Sequence, residues 1–293
     1  MSEADPIETR IAVARQAFLR ACALDVAVRK PGNVSAASPG HRMHADLFLA
    51  SAQAAAGPLF TRGRPVGERI ERATEATWAA AGCNTNLGIV LLCAPLAAAV
   101  ERPEPLQPAL QAVLAGLDVD DAAATYRAIA RANPGGLGRA EAQDVAAPPS
   151  IDLRRAMALA EARDSIARQY THDFADLFGL PPPLLGPLPE ATPGAPPDAP
   201  TIERVQRVYL EFLSRWPDSH IVRKHGEGPA QTVMTAAQGW RERPALDADP
   251  AFAAWDESLK AAGLNPGTSA DLTVAALLLS QLLAAARQAW HGS

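Results

Sequence analysis

Apolar residues recur along this chain at helical spacing and almost nowhere at strand spacing. Ile11, Ala14, Phe18, Ala21, Cys22 and Val26 share one face of a helix expected from about Ile7 to Val28. Lys30-Pro31-Gly32 should stop it, because proline disfavours helix at the residue before it and glycine permits an unusual turn. Further helices are expected at Asp46–Leu59, ended by Gly57-Pro58, and at Val66–Ala81. The uncharged run Asn86–Val100 should pair antiparallel with the latter through a Gly82–Thr85 loop. Leu106–Leu117, Asp120–Asn133 and Ile151–Phe178 supply more helix, with Asp118–Asp121 as an acidic cap that complements a positive helix end. No segment sustains the period-2 alternation that a sheet needs, so the pattern predicts an all-α fold.

The stretch Leu180–Pro200 is dense in proline and cannot continue a helix. It reads as a surface crossover or a semi-rigid linker with polyproline character. A single domain over residues 1–293 is expected, because polar clusters of one kind occur on both sides of it. Thr201–Trp216 with Thr201 as N-cap, Pro229–Arg241, Pro250–Ala262 and Ser269–Trp290 complete the helical pattern.

Composition narrows the classes. The chain has 293 residues and is 48% hydrophobic, enough for a substantial core. A net charge of -5 argues against a nucleic-acid binder, yet a few focused basic residues suffice for a nucleotide. Three cysteines follow no metal-ligand spacing. Cys22 and Cys93 read as small core residues, and Cys83 stands beside the polar Asn84. The longest apolar run, Leu87 to Val100, is shorter than the about 20 residues that span a bilayer, and the N-terminus lacks an apolar signal core. A cytoplasmic protein, with no membrane and no nucleic-acid partner, is the expectation.

Polar clusters interrupt the apolar pattern. Asn84-Thr85-Asn86-Leu87-Gly88 opens a core helix, where free backbone N–H groups favour anions such as phosphate, or where the amides simply cap. The others are Arg29-Lys30-Pro31-Gly32-Asn33-Val34, His44-Ala45-Asp46, Asp218-Ser219-His220 with Arg223-Lys224-His225-Gly226, and Leu264-Asn265-Pro266-Gly267-Thr268-Ser269-Ala270-Asp271-Leu272. With Pro134-Gly135-Gly136-Leu137-Gly138, and in this order, they resemble the triphosphoribosyl-dephospho-CoA synthase family. The resemblance implies an all-helical enzyme that joins the ribose C1 of ATP to the 2′-hydroxyl of 3′-dephospho-CoA and releases adenine. The product is the precursor of a prosthetic group carried by acyl-carrier subunits of citrate lyase and malonate decarboxylase. Where the family reads nearer to Asn-Thr-His-Lys-Gly, this chain has Asn86 and Leu87. An Arg-Gly-Glu type segment of the family likewise falls where this chain has Gly135 to Glu141. These departures bear on the acceptor.

Such chemistry develops positive charge on the sugar and needs a deprotonated hydroxyl, tasks that suit carboxylates. Asp46, Asp218 and Asp271 are the catalytic candidates; Asp46 is otherwise an N-cap, and Asp271 otherwise a cap or a charge with a partner. Glu71 and Glu75 share a helix face with Glu68, either as a solvated stripe or, with Asp46 and Asp271, as oxygen ligands for magnesium. Lys30, Asn33, His44, Asn84, Thr85, Asn86, Arg223, Lys224, His225 and Asn265 are the nucleotide-binding candidates. Arg223 and Lys224 would clamp a triphosphate or else lie in an exposed loop. The glycine-rich run at 135–138 is either a loop approaching a ligand or a turn. His41 and His172 read as surface residues. Magnesium with ATP, and dephospho-CoA or a related acceptor, are the expected partners, and the chain could pair as a homodimer. Two alternatives stand beside this reading: a family relative acting on another acceptor in one-carbon coenzyme synthesis, and a non-catalytic helical interaction protein.

Overall fold

Aspartate begins helix after helix in this protein. In the computed structural model, which describes residues 5–36, 38, 44–134, 143–189 and 195–291, Asp5 accepts from Ile7 N and starts α1 (Pro6–Ala27). Three helices follow: α2 (Ala45–Leu59), α3 (Val66–Ala81) and α4 (Leu87–Val100). After α5 (Leu106–Ala115), Asp118 and Asp121 form a reciprocal capping box on α6 (Val119–Ala132), as the acidic sequence there predicts. Asp152 caps α7 (Leu153–Ala158), and Asp164 caps α8 (Ser165–Thr171). Beyond the short α9 (Ala175–Phe178), Asp198 caps α10 (Ala199–Leu213). Asp218 caps α11 (Ser219–His225), α12 spans Glu227–Trp240, Asp249 caps α13 (Pro250–Ala261), and α14 runs Gly267–His291. Among the described residues there is no strand, and the fold is all-α.

Several boundaries differ from the sequence pattern for local reasons. Helix α2 passes through Gly57 and Pro58 to Leu59, because a proline in the last turn disturbs only a bond that is about to end. Asp198, not Thr201, caps α10; Thr201 N is the group it caps. Ile151–Phe178 is cut into three pieces by the Asp164 cap and by Asp173 and Phe174, whose φ values are 53° and 58°. The basic cluster Arg223-Lys224-His225 is the end of a helix, not a loop, and its charges sit where they complement the dipole.

Helix α4 is apolar all round and forms the centre, with Val90, Leu92, Cys93, Ala94 and Leu96 fully buried. Its Pro95 has no N–H, so the carbonyl of Leu91 loses its helical partner. The buried hydroxyl of Tyr170 replaces it at 2.6 Å. Helix α14 packs against α1, α4 and α10, so elements from both sides of the proline-rich segment meet in one core. A second apolar cluster joins α10 to α13 through Tyr209, Ile221, Trp240 and Phe252. Contrary to the expectation that α4 is the longest apolar run, the Gly267–Arg287 part of α14, with mean hydropathy 1.6, is long and apolar enough to cross a membrane. Some 67% of that window is buried inside the protein, which is the environment of a core helix.

Candidate active site

Four helix N-termini meet in the interior. Gly88 in the first turn of α4 has no side chain, and Asp271 of α14 fills that space: a Cβ at Gly88 would lie 2.0 Å from Oδ2 of Asp271 and 2.8 Å from Cδ1 of Ile166, in the first turn of α8. Asp218 joins the other two. Its Oδ1 accepts from the N–H groups of His220 and Ile221 at 2.9 and 3.2 Å, and its Oδ2 from the N–H and hydroxyl of Ser269, both at 2.8 Å. One buried carboxylate therefore caps α11 and the first turn of α14 together. Ser219 Oγ accepts from Ser165 N at 3.0 Å and ties α8 into the same knot.

Asp25 enters from the C-terminal part of α1. It is buried, and Nζ of Lys30 reaches both its carbonyl and its carboxylate, the latter at 3.1 Å. Lys30 has no exposed surface and neutralises Asp25. The loop that carries Lys30 is held from α13: the buried Asp256 accepts from Gly32 N at 2.8 Å and from Lys260 Nζ at 2.9 Å. Asn33 Nδ2 donates to Asn265 Oδ1 at 3.0 Å, which fastens this loop to the one preceding α14.

The three buried carboxylates differ in what they have left to offer. Burial raises the proton affinity of Asp25 in spite of Lys30, and that of Asp218 in spite of its four hydrogen bonds. Asp271 is raised furthest above the ordinary carboxylate range. Desolvation is the main cause, with Asp25, Asp218 and Asp164 adding to it and Arg223 opposing it. Asp25 is occupied by Lys30, and Asp218 by its N–H and hydroxyl donors. Asp271 alone of the three makes no hydrogen bond or close ion pair among the described residues, and it keeps some exposure. Arg223 stands nearby, held by Asp164 at 2.8 Å, with its Nε buried and without a hydrogen-bond partner.

The Asn84 cluster divides its work. Asn84 Oδ1 accepts from Leu87 N at 3.2 Å, so Asn84 rather than Asn86 supplies the side-chain cap. Thr85 Oγ1 donates to Ser51 of α2 at 2.6 Å. Asn86 is buried, and among the described residues its Nδ2 has no partner. Leu87 is in the core.

Other sequence candidates lie apart from this locus. His44 is the exposed N-cap position of α2, where it makes no side-chain cap bond. Asp46 is not a cap; it is exposed in the first turn of α2. Lys224 is exposed, and the ring of the exposed His225 lies 3.2 Å from the carbonyl of Gly263. Glu71 is bound by both arms of Arg127 at 2.5 and 2.7 Å, and Glu75 lies 3.5 Å from Arg131, all on the outer face of α3 and α6. Grooves of about 570 and 640 Å³ run along that face and share no residue with the Asp271 locus. His172 is exposed beside Glu161, while His41 and the 135–142 segment fall outside the described residues. Cys22 and Cys93 are buried near Asp271, and burial pushes both thiols up, as suits inert core residues; Cys83 is partly exposed. Sequence reasoning missed Asp25, Asp164 and Asp256. An acid set among Ala21, Cys22 and Val26, with a lysine five residues on, was the signal for Asp25.

The profile of one protein family matches residues 11–289, nearly the whole chain: ATP:dephospho-CoA triphosphoribosyl transferase. The chain belongs to that family. At the level of the family, its activity is triphosphoribosyl transfer from ATP to dephospho-CoA, and this member is an enzyme. A solved structure from Archaeoglobus fulgidus, provisionally named a triphosphoribosyl-dephospho-CoA synthase, superposes with a TM-score of 0.61 at 23% identity. The match covers 80% of this chain and 98% of that one, and at this identity it speaks for the fold. No curated protein gives a significant match.

Proposed function

We propose that this chain breaks the bond between adenine and the ribose C1 of ATP and joins that carbon to a hydroxyl of 3′-dephospho-CoA at Asp271. The observation that carries the reading is the placement of Asp271 against Gly88, as the one carboxyl of three that makes no hydrogen bond or close ion pair among the described residues. When the C1–N bond breaks, its electron pair leaves with adenine, which needs a proton. The acceptor hydroxyl must lose one as its oxygen bonds to C1. A carboxyl whose proton affinity is raised by burial suits both transfers. Asp271 gives its proton to the departing base, and the carboxylate so formed faces the positive sugar and then takes the hydroxyl proton. Atoms and charge balance, and Asp271 ends as it began.

Among the described residues, no three His, Cys, Asp or Glu side chains gather as a metal-binding set. Glu71 and Glu75 are engaged by arginines. Magnesium therefore belongs to this reading only as the ion that ATP brings on its phosphates, and no residue is assigned to it.

A second reading, the same transfer to a different acceptor, is favoured by Leu87, whose burial leaves an apolar side chain where the resemblance expects a lysine. Incubation with ATP, magnesium and dephospho-CoA should release adenine, and Asp271→Asn should slow that release by about 10²–10⁴. Wild-type protein that releases none with dephospho-CoA, but does so with another hydroxyl-bearing nucleotide, would favour the second reading. An Asp271→Asn variant as fast as wild type would sink both.

A further inference from the structure

We propose that Asn86 and the first turn of α4 form an oxyanion subsite that takes a phosphoryl group of the nucleotide substrate. This subsite rests on the transfer reading above and adds which part of the substrate the end of α4 receives. Helix α4 has 14 residues, and the N–H groups of its first turn have no intrahelical carbonyl to reach. Asn84 satisfies that of Leu87, which leaves those of Gly88 and Ile89. Asn86 is the second, independent observation. It is only 5% exposed, yet among the described residues its Nδ2 finds no acceptor, which is costly for a buried amide unless a ligand supplies one. The neighbouring polar groups do not compete for this role: Thr85 is turned to Ser51, and Asn84 presents an acceptor to the backbone. Arg223 adds a cation within electrostatic reach of Asp271, with a buried Nε that also lacks a hydrogen-bond partner.

An amide nitrogen and two backbone N–H groups are all donors, and at the positive end of α4 they match a phosphoryl group rather than a base or a bare hydroxyl. The nearby Asp271 does not repel such a group while it keeps its proton.

The test is calorimetric titration with inorganic tripolyphosphate and with adenosine, using the full chain. Wild type should bind tripolyphosphate, and Asn86→Ala should weaken it about tenfold or more while leaving adenosine unchanged. Asn86→Asp, which keeps the shape but adds charge and removes a donor, should weaken it further. Circular dichroism and melting establish that both variants are folded. If either cannot be obtained folded, Arg223→Gln should still show a weakened tripolyphosphate affinity. Equal affinity in wild type and the folded variants, or no binding by wild type, overturns the subsite. Adenine release is read separately: its absence, with Asn86-dependent tripolyphosphate binding intact, would count against the transfer reading and not against the subsite.

Discussion

Along α3, Glu68, Glu71 and Glu75 stand near the surface and each is met by at least one arginine: Arg64 and Arg72, Arg127, and Arg131. At the meeting of α1, α4, α11 and α14, the acids Asp25 and Asp218 are buried and Asp271 is partly so, and the cations near them are Lys30 and Arg223. The first set has its charge matched in water, where an ion pair is worth little and asks for little. The second has more carboxylates than cations in a place where ionising them is expensive. Density of acidic residues therefore says less about chemistry than the balance between burial and partners. The α3 glutamates read in sequence as either a solvated stripe or a set of metal ligands, and in space an arginine pairs with each of them. Asp271 reads in sequence as a costly charge on an apolar helix, and among the described residues it is the acid of the three that makes no hydrogen bond or close ion pair.

The comparison breaks most visibly at Lys30. Lys30→Met leaves Asp25 buried and uncompensated, and should cost about 3–5 kcal/mol of stability in urea unfolding. The double variant Asp25→Leu with Lys30→Met should recover most of that loss, because a buried pair exchanged for apolar groups is often neutral. If the single variant is as stable as wild type, the interior is wetter than its geometry indicates.

Asp271→Asn sharpens the contrast with a change of opposite sign. Burial, reinforced by Asp25, Asp218 and Asp164 and opposed by Arg223, holds the folded proton affinity of Asp271 above that of an unfolded carboxyl. From about pH 3.9, the unfolded value, up to the folded value, the native state holds the extra proton, so stability falls as pH rises through that window. The asparagine variant escapes this loss. It should melt higher than wild type at pH 8 and match it near pH 3, while losing activity. Thermal melts across that range decide the matter, and a variant that melts lower at pH 8 contradicts the assignment.

The smallest effect belongs to the ladder. Glu71→Gln should cost less than about 1 kcal/mol, shrinking further in salt, and should leave the magnesium dependence of turnover untouched. A raised magnesium requirement in this variant would restore α3 as a metal-binding face.

Hydrophobic periodicity alone determined that the chain is helical, because a 3.6-residue repeat such as that of Ile11, Ala14, Phe18 and Cys22 has only one way to bury its apolar face. It also placed α1, α3, α4 and α13 to within a residue or two, and the order of polar clusters carried the family. What it could not reach was any property that depends on who stands opposite. Glu71 on an acidic helix face and Asp271 on an apolar helix are told apart by their own helices, but neither helix tells what its acid meets across the fold. Arg127 comes from α6 and Gly88 from α4, brought near by packing across distances in sequence that periodicity does not encode. The same is true of Asp218, which reads as one member of a polar cluster and becomes the common cap of two helices only when α14 arrives beside α11. Local sequence set the elements, since helix formation is decided within a few turns. The tertiary structure set the charge states and the open donors, since desolvation and hydrogen bonding are decided by neighbours that the chain supplies from elsewhere.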